Sequence, residues 1–363
     1  MRMLLSNPFK KLSLFLLCCS IIFPAKAAYI FIPMDESQSN HLKAYGIAFY
    51  AIERDVKVDW LLNYQGGSFM IKQHADIENE CNIRGVSYQL IADVQSTQIL
   101  QSIASPEVNQ DVVRLEKVPK IAIYSPNNKQ PWDDAVTLAL TYAEIPYEVI
   151  YDEEVLANLL PLYDWLHLHH EDFTGQYGKF YASFKNATWY KEQKIAYEKL
   201  AKKLGYNKVS EEKLAVAKKI KEFVTAGGFL FAMCSATDSY DIALANEGND
   251  ICQHMFDGDA ADPSAEEKLD FSKTLAFKDF TLVKNPNQYE FSSIDATQTR
   301  KINPKIDFFT LFDFSAKWDP IPTMLCQNHM QVIKGFMGQT TAFKNQHIKS
   351  DVLIMGETKA SNE

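Results

Sequence analysis

The chain has 363 residues, of which 47% are hydrophobic and 23% charged, and its formal net charge is −9. An acidic chain of this composition is poorly suited to nucleic acid or to an anionic membrane surface, so we expect neither partner. Its length is enough for one large domain or for two of moderate size.

The first 27 residues have the features of a secretory signal peptide. Arg2, Lys10 and Lys11 form a positive n-region, residues 12–23 are apolar but short for a membrane span, and residues 25–27 give an A-x-A cleavage site. Cleavage removes four cations and no acid, which changes the net charge from −9 to −13. We expect an exported protein, periplasmic or secreted, with no membrane span in the mature chain.

Four cysteines remain after this cleavage. They could form at most two disulfides in an oxidising compartment, which is too few for a disulfide scaffold in a chain of this length. They are Cys81, Cys234, Cys252 and Cys326.

Residues 28–115 alternate between strand and helix patterns and predict an N-terminal α/β lobe. Residues 104–119 are expected to link this lobe to the next domain, with 111–118 extended. The predicted strands are 29–32, 58–63, 68–71 and 87–92, and the predicted helices are 42–52 and 97–103.

Residues 119–363 are predicted to form a second domain that begins with a clear βαβ pattern. It contains an aromatic-rich insertion at 173–209 and a β-rich C-terminal extension after residue 251. Together these patterns predict an α/β fold with a flavodoxin-like parallel sheet. The predicted strands are 120–124, 147–151, 163–169, 229–233, 277–283, 308–314, 323–326, 336–343 and 352–355, and the predicted helices are 133–143, 191–204 and 210–226.

The sequence around Cys234 is typical of a strand-turn-helix corner. Two glycines end a helix, residues 229–233 are an apolar run, and small and polar residues follow the cysteine. The turn residue of such a unit lies at the carboxyl edge of the sheet, where open α/β sheets bind ligands. We therefore interpret Cys234 as a candidate nucleophile with the backbone N–H of Ser235 as oxyanion donor, the alternative being a buried small hydrophobic residue. Ser125, Ser235 and Asp238 are the candidate substrate-binding residues.

A histidine and acid cluster lies at the end of the third predicted strand of this domain. We interpret His167 as buried and hydrogen-bonded, and we assign His169, His170 and Glu171 to the catalytic site as orienting groups. Metal binding by His169, His170 and Asp172 is a weaker alternative. No cofactor is expected, and the acidic run at 257–262 is interpreted as a solvated loop because it lacks EF-hand spacing.

The corner A-M-C-S-A at residues 232–236 resembles the G-x-C-x-G elbow of class I glutamine amidotransferases, with alanine at both glycine positions. Runs at 29–38, 125–135, 167–174 and 229–239 make the chain similar to secreted bacterial proteins named asparagine synthetase B. The resemblance implies a class I glutamine amidotransferase-like domain with a cysteine nucleophile. It also implies a chain that continues beyond residue 357 to a glycine-histidine-acid segment.

The H-x-E base of that family does not follow Cys234 in this sequence. The later histidines, His254, His329 and His347, have no acid two residues on. We expect an exported amidotransferase-like hydrolase acting on a small molecule, a peptide or a glycan. Two alternatives stay open: a non-catalytic binding or scaffold protein with an incomplete site, and a metal-assisted hydrolase that uses residues 169–172.

Overall fold

The structure, a computed structural model, describes residues 27–126, 135–296, 308–311, 315–318, 333–334 and 342–358. These residues divide between two compact units, one drawn from Met1–Glu116 and Ser315–His329 and the other from Lys117–Phe314 and Met330–Glu363. Several predicted features lie outside the described residues: the signal peptide up to residue 26, residues 127–134, the strand at 323–326, and most of the strand at 336–343.

The described residues of the first unit form five strands and three α-helices. The sequence does not predict the polar helix α2, because Ile77 and Cys81 are its two buried residues and too few to set a helical period. The strands are β1 Ala27–Ile32, β2 Val58–Leu62, β3 Ser68–Lys72, β4 Gln89–Ala92 and β5 Asp111–Leu115, and the helices are α1 His41–Glu53, α2 Ala75–Arg84 and α3 Asp93–Ala104.

The five strands pair in the order β4-β1-β3-β2-β5, and every pair is antiparallel. The segments β1-α1-β2 and β3-α2-β4 therefore interleave in a split β-α-β arrangement. Successive residues of β1 point to opposite faces of the sheet. Ile30 and Ile32 pack with α1 and α2, whereas Phe31 packs with α3, so both faces are covered.

The turn between β2 and β3 closely approaches the backbone that follows β1. Gly66 has a φ of +78°, and a Cβ atom at this position would lie 2.3 Å from the carbonyl oxygen of Met34. The N–H of Met34 donates to the carbonyl of Gln65 at 2.9 Å, which keeps the two segments together. Glycine is required here for both its conformation and its lack of a side chain.

We predict that Gly66→Ala destabilises the chain by about 2 kcal/mol more than Gly85→Ala. Gly85 also has a positive φ, of +68°, but a Cβ atom added there would meet nothing within 4 Å. Replacing Gly85 with alanine therefore measures the cost of backbone strain alone, which is about 1–2 kcal/mol. Urea denaturation followed by circular dichroism measures both losses. Equal losses would contradict the close approach to Met34.

The second unit contains a parallel sheet, a small antiparallel sheet and seven helices among its described residues. Its strands are β6 Ile121–Tyr124, β7 Glu148–Ile150, β8 Trp165–Leu168, β9 Phe229–Ala232, β10 Phe308–Leu311, β11 Ile333–Lys334 and β12 Gly356–Thr358. Its helices are α4 Ala135–Ala143, α5 Asp152–Leu156, α6 Tyr181–Phe184, α7 Thr188–Lys203, α8 Val209–Thr225, α9 Ala236–Ala245 and α10 His254–Asp257.

The parallel sheet has the order β7-β6-β8-β9. Helix α4 packs against Ile121 and Ile123 on one face, and α5, α8 and α9 pack against the other, around Ala122 and Leu166. The central strand β6 is buried along its whole length and apolar on both faces, as a parallel strand between helices is, whereas β7 and β9 have exposed residues. The predictions of an α/β fold and of a parallel sheet are confirmed.

The described part of the C-terminal extension differs from the strands that its sequence predicts. Residues 308–311, 333–334 and 356–358 form the three-stranded antiparallel sheet β11-β10-β12. The predicted strand at 277–283 is reduced to isolated bridges, because side chains accept several of its N–H groups: Asp241 accepts that of Phe277 at 2.8 Å, and Ser293 and Glu266 accept two others at 3.0 Å each. The predicted strand at 352–355 is wrong, since the chain there is irregular up to β12.

A buried ion pair joins α5 and α8 at the carboxyl ends of β6 and β7. Asp152 is 1% exposed and Lys213 is 2% exposed. The Lys213 ammonium donates to both Asp152 oxygens, at 2.8 and 2.7 Å, and to the hydroxyl groups of Tyr124 and Tyr151 at 2.9 Å each. The Tyr124 hydroxyl also donates to Asp152. This pairing offsets the cost of burying both charges.

Glu212 brings a second carboxyl group to Asp152. Burial raises the pKa of Glu212 to about 8; the positive charge of Lys213 opposes this shift, while the charge of Asp152 and a hydrogen bond with it add to it. Two carboxyl groups that share a hydrogen bond need a proton between them. Glu212 is therefore protonated at neutral pH.

We predict that Glu212→Gln makes stability less dependent on pH between about 4.5 and 8. The pKa of Glu212 is higher in the folded chain than its ordinary 4.5, so folding takes up a proton in this window and the stability it confers is lost as pH rises. Relative to the variant, the native chain should lose on the order of 1–3 kcal/mol across the window. Urea titrations at a series of pH values measure this; parallel curves for the two proteins would exclude it.

Candidate functional site

Cys234 lies in the turn between β9 and α9, at the carboxyl edge of the parallel sheet. Its φ is +51°, in the left-handed region that residues other than glycine rarely adopt. A strained backbone of this kind persists only where surrounding structure enforces it, and it is concentrated at functional sites. The strand-turn-helix corner predicted from the sequence is therefore present, with the cysteine at its strained position.

The loop that follows β8 holds this corner in place. The Ser235 hydroxyl donates to the carbonyl of His170 at 2.7 Å, and the N–H of Ala236 donates to the carbonyl of His169 at 3.4 Å. Both acceptors belong to the main chain, so the imidazole rings do not take part in these bonds. The structure thus brings the backbone of His169 and His170 next to the residues that follow Cys234.

The surroundings of Cys234 favour its neutral thiol. Burial raises the pKa of Cys234, and the carboxylates of Asp238, Asp295 and Glu171 raise it further, whereas a hydrogen bond from the backbone N–H of Ser235 lowers it. The thiolate is the reactive form of cysteine. A reaction at this thiol therefore needs a base that removes its proton during the attack.

His169 and His170 form a directly hydrogen-bonded pair. Their Nδ1 atoms are 3.1 Å apart, so one ring donates and the other accepts, and their ring centroids are 4.8 Å apart. The N–H of His169 donates to Glu171 Oε2 at 3.0 Å, which fixes the backbone at the end of β8. Paired imidazoles can exchange a proton. Their catalytic assignment, and that of Glu171, stay predictions.

His167 has the structural role predicted for it. The side chain is fully buried, and its Nδ1 lies 3.1 Å from the carbonyl oxygen of Phe231 on the neighbouring strand. His347, one of the three histidines that follow Cys234, is also buried. Its Nε2 lies 2.9 Å from Ser293 Oγ, and its Nδ1 lies 3.2 Å from the Lys278 carbonyl oxygen.

The candidate substrate-binding residues occupy different environments. Ser125 follows β6 and is half-buried, with its N–H bonded to the Ile150 carbonyl at 3.0 Å. Ser235 is 1% exposed, and Asp238, in the first turn of α9, is fully buried. The charge of the buried Asp238 contributes to the raised pKa of Cys234. The role of all three residues in substrate binding stays a prediction.

Asp172 holds its own loop together. Its Oδ1 accepts from the N–H and the hydroxyl of Thr174, both at 2.6 Å, and its Oδ2 accepts from the N–H of Gly178 at 2.9 Å. Burial raises the pKa of Asp172, and these hydrogen bonds lower it. Both Asp172 oxygens already accept hydrogen bonds from the loop. The geometry therefore does not support the weaker prediction of a metal site at His169, His170 and Asp172.

Elsewhere among the described residues, Asp250, Cys252 and Asp257 bring three metal-capable atoms within 4.8 Å of one another. The ammonium of Lys208 lies among these carboxylates, 2.5 Å from Asp250 and 3.0 Å from Asp257. Burial alone lowers the pKa of Lys208, but hydrogen bonds to the acids outweigh it and raise that pKa. Lys208 thus supplies the positive charge that a metal ion would otherwise bring.

Cys81, Cys234 and Cys252 form no disulfide.

The sequence does not predict Asp295 and Tyr289 as neighbours of Cys234. Asp295 is 5% exposed and raises the pKa of Cys234. Burial, followed by the charges of Cys234 and Asp295, raises the pKa of Tyr289. Neither residue lies in a motif or a regular strand, and no signal in the sequence connects them to the corner.

No protein-family model, curated protein or solved structure matches this chain. The assignment of a function therefore depends on the chain's own residues and on the geometry of the Cys234 corner.

We predict that Cys234→Gly is more stable than Cys234→Ala by about 1 kcal/mol, because glycine adopts a positive φ without strain. At a helical position the order is reversed: the exposed Ala196 of α7 should lose about 1 kcal/mol when replaced by glycine. Denaturation of all three variants by urea gives the comparison. If Cys234→Ala is the more stable of the pair, the corner is not strained.

Proposed function

We propose that this chain is an exported, thiol-dependent amide hydrolase or amidotransferase with Cys234 as its nucleophile. The observation that carries the proposal is the left-handed φ of +51° at Cys234, on a strand-to-helix turn at the carboxyl edge of a parallel sheet. An elbow of this shape presents the reactive atom above the sheet and next to backbone N–H groups.

The chemistry begins from a neutral thiol. A base removes the thiol proton as sulfur attacks the carbonyl carbon of the amide, and the negative charge that develops on the carbonyl oxygen is stabilised by the backbone N–H of Ser235. The C–N bond then breaks, the proton passes to the leaving amine, and a thioester remains on Cys234. Water hydrolyses the thioester to a carboxylic acid, which restores the thiol.

We assign the base to His169 or His170. Both belong to the loop bonded to the corner, and their shared Nδ1 contact allows a proton taken by one ring to be passed to the other. Glu171 connects its own loop to helix α9. Its carboxylate accepts from the N–H of His169, and its main-chain carbonyl accepts from the Ser239 hydroxyl at 3.1 Å.

The fold supports the amidotransferase-like part of the proposal. In chain order, β7-β6-β8-β9 are the second, first, third and fourth strands of the domain, and this corresponds to the first four positions of the flavodoxin-like order 2-1-3-4-5. Helices cover both faces, as that fold requires. The resemblance of residues 232–236 to the G-x-C-x-G elbow agrees with this placement.

Export is proposed from the signal-like sequence at residues 1–27. Within the described part of the chain, no helix combines the length and the apolar character needed to cross a membrane. Cleavage after residue 27 would leave almost all of β1 in the mature protein, because β1 extends to Ile32.

A non-catalytic binding protein is the second candidate, and one observation favours it. Burial, reinforced by the three carboxylates around Cys234, raises the pKa of Cys234 and favours the unreactive thiol. A protein that lost its activity but kept the corner would have the same geometry.

Acylation of Cys234 by an activated ester separates the two candidates. We predict that p-nitrophenyl acetate releases one equivalent of p-nitrophenol in a burst and that mass spectrometry finds the acetyl group on Cys234. Replacing the general base, by His169→Ala or His170→Ala, should slow the burst about 100-fold or more, because base assistance is lost. The exposed His254 is the matched control, and His254→Ala should leave the burst unchanged.

The burst should be absent from Cys234→Ala. A native chain that shows no burst, or one whose acetyl group is on another residue, would exclude the nucleophile and leave the binding protein.

A further inference from the structure

A small cavity lies behind the loop that follows β8. Its volume is about 20 Å³, which is room for one group the size of a water molecule. Most of its described walls come from this loop and from helix α7, with Pro126 after β6 and Val209 of α8, and they include His170, Glu171, Asp172, Tyr177, Gln193 and Tyr197. Neither Cys234 nor Ser235 is among them, so the cavity does not contain the thiol, although His170 and Glu171 belong to both sites.

Gln193 provides the clearest sign that the cavity has an occupant. Its side chain is 9% exposed, and its Nε2 donates to the Tyr197 hydroxyl at 2.9 Å. Its Oε1 is buried and has no hydrogen-bond partner among the described residues. Buried acceptors are nearly always paired. An occupant with N–H or O–H groups would supply the missing bond.

The other walls favour a positively charged occupant. Glu171 is 6% exposed and contributes a carboxylate, and Asp172 lies beside it. Tyr177 and Tyr197 contribute aromatic rings, whose faces attract cations. Among the described residues of the walls, His170 is the one side chain that can carry a positive charge.

The nearest lysines already have strong partners. Lys213 lies 5.3 Å from the centroid of the Tyr197 ring but is paired with Asp152. Lys179 is 2% exposed and donates to two backbone carbonyls, those of Val283 at 2.8 Å and Asn285 at 3.2 Å. Lys194, a third lysine near these walls, lies 5.7 Å from the centroid of the Tyr177 ring and donates to the Met255 carbonyl at 2.8 Å. None of the three ammonium groups supplies the bond that Gln193 lacks.

We propose that this cavity binds a primary ammonium group, with Gln193 Oε1 as a hydrogen-bond acceptor, Glu171 as the counter-charge and the two tyrosine rings as walls. The group fits the volume, donates three N–H bonds and carries the charge that the walls favour. A water molecule has the right size but lacks the charge. This site does not depend on the reactivity of Cys234, so it stands or falls separately from the proposed catalysis.

Thermal unfolding in the presence of small cations tests the site. We expect 100 mM methylammonium chloride to raise the unfolding midpoint of the native chain by about 2–4 °C relative to 100 mM potassium chloride. Tetramethylammonium chloride is the matched control, because it has the same charge but no N–H donor and is too large for the cavity. It should act no differently from potassium chloride.

Two further cations identify the source of the ammonium group. Stabilisation by ammonium and also by methylammonium and n-butylammonium indicates the end of a larger amine, whose chain leaves through an opening. Stabilisation by ammonium alone indicates that the site holds the free ion. Each result supports an ammonium site and assigns its ligand.

Variants of Gln193 connect the effect to the cavity. Gln193→Leu removes the acceptor and should abolish the shift, whereas Gln193→Glu keeps an acceptor, adds a negative charge and should enlarge it. Glu192→Leu is the control, because it removes a charge from the exposed side of the same helix and should leave the shift intact. If Gln193→Leu does not fold, the comparison of Gln193→Glu with the native chain decides.

The proposal is overturned if neither ammonium nor methylammonium stabilises the native chain more than potassium does, since the cavity then holds water. It is also overturned if the shift survives in Gln193→Leu, or if Gln193→Glu leaves it unchanged, because the cation then binds elsewhere.

Discussion

The candidate site depends on hydrogen bonds that connect the loop after β8 to the first turn of α9. The Ser235 hydroxyl and the Ala236 N–H both donate to main-chain carbonyls of that loop, and Cys234, immediately before them, has a left-handed φ. Strain of this kind costs on the order of 1–3 kcal/mol, and the surrounding bonds must offset it. Because the acceptors are backbone atoms, the side chains of the loop can differ without loss of the corner.

The carboxylates around Cys234 affect the two partners of a proton transfer in opposite ways. Burial first, and then the charges of Glu171, Asp238 and Asp295, raise the pKa of Cys234 and disfavour a thiolate. In the proposed mechanism the same negative charges would favour the imidazolium that forms when a histidine accepts the thiol proton. The proposal therefore requires a proton transfer that occurs only as a substrate is attacked.

Sequence patterns predict the strands and helices that are marked by a local run or period of apolar residues. They fail where a side chain from a distant part of the chain determines the local backbone hydrogen bonds. The apolar runs of β6 and β9 and the apolar face of α8 are enough to locate them. The strand predicted at 277–283 forms only isolated bridges, because side chains from other parts of the chain accept several of its backbone N–H groups; these acceptors are Asp241, Glu266 and Ser293. Asp295 and Gln193 reach their sites through tertiary packing, so no spacing in the sequence connects them to Cys234 or to the cavity.

The buried ion pair and the cavity are linked through Tyr197. Its hydroxyl accepts from Gln193, and its ring lies 5.3 Å from the Lys213 ammonium. The charge of Lys213 is balanced by Asp152, and burial keeps Glu212 protonated, so the group of three is neutral as a whole. A neutral group does not repel a cation beyond Tyr197, although an unpaired Lys213 would.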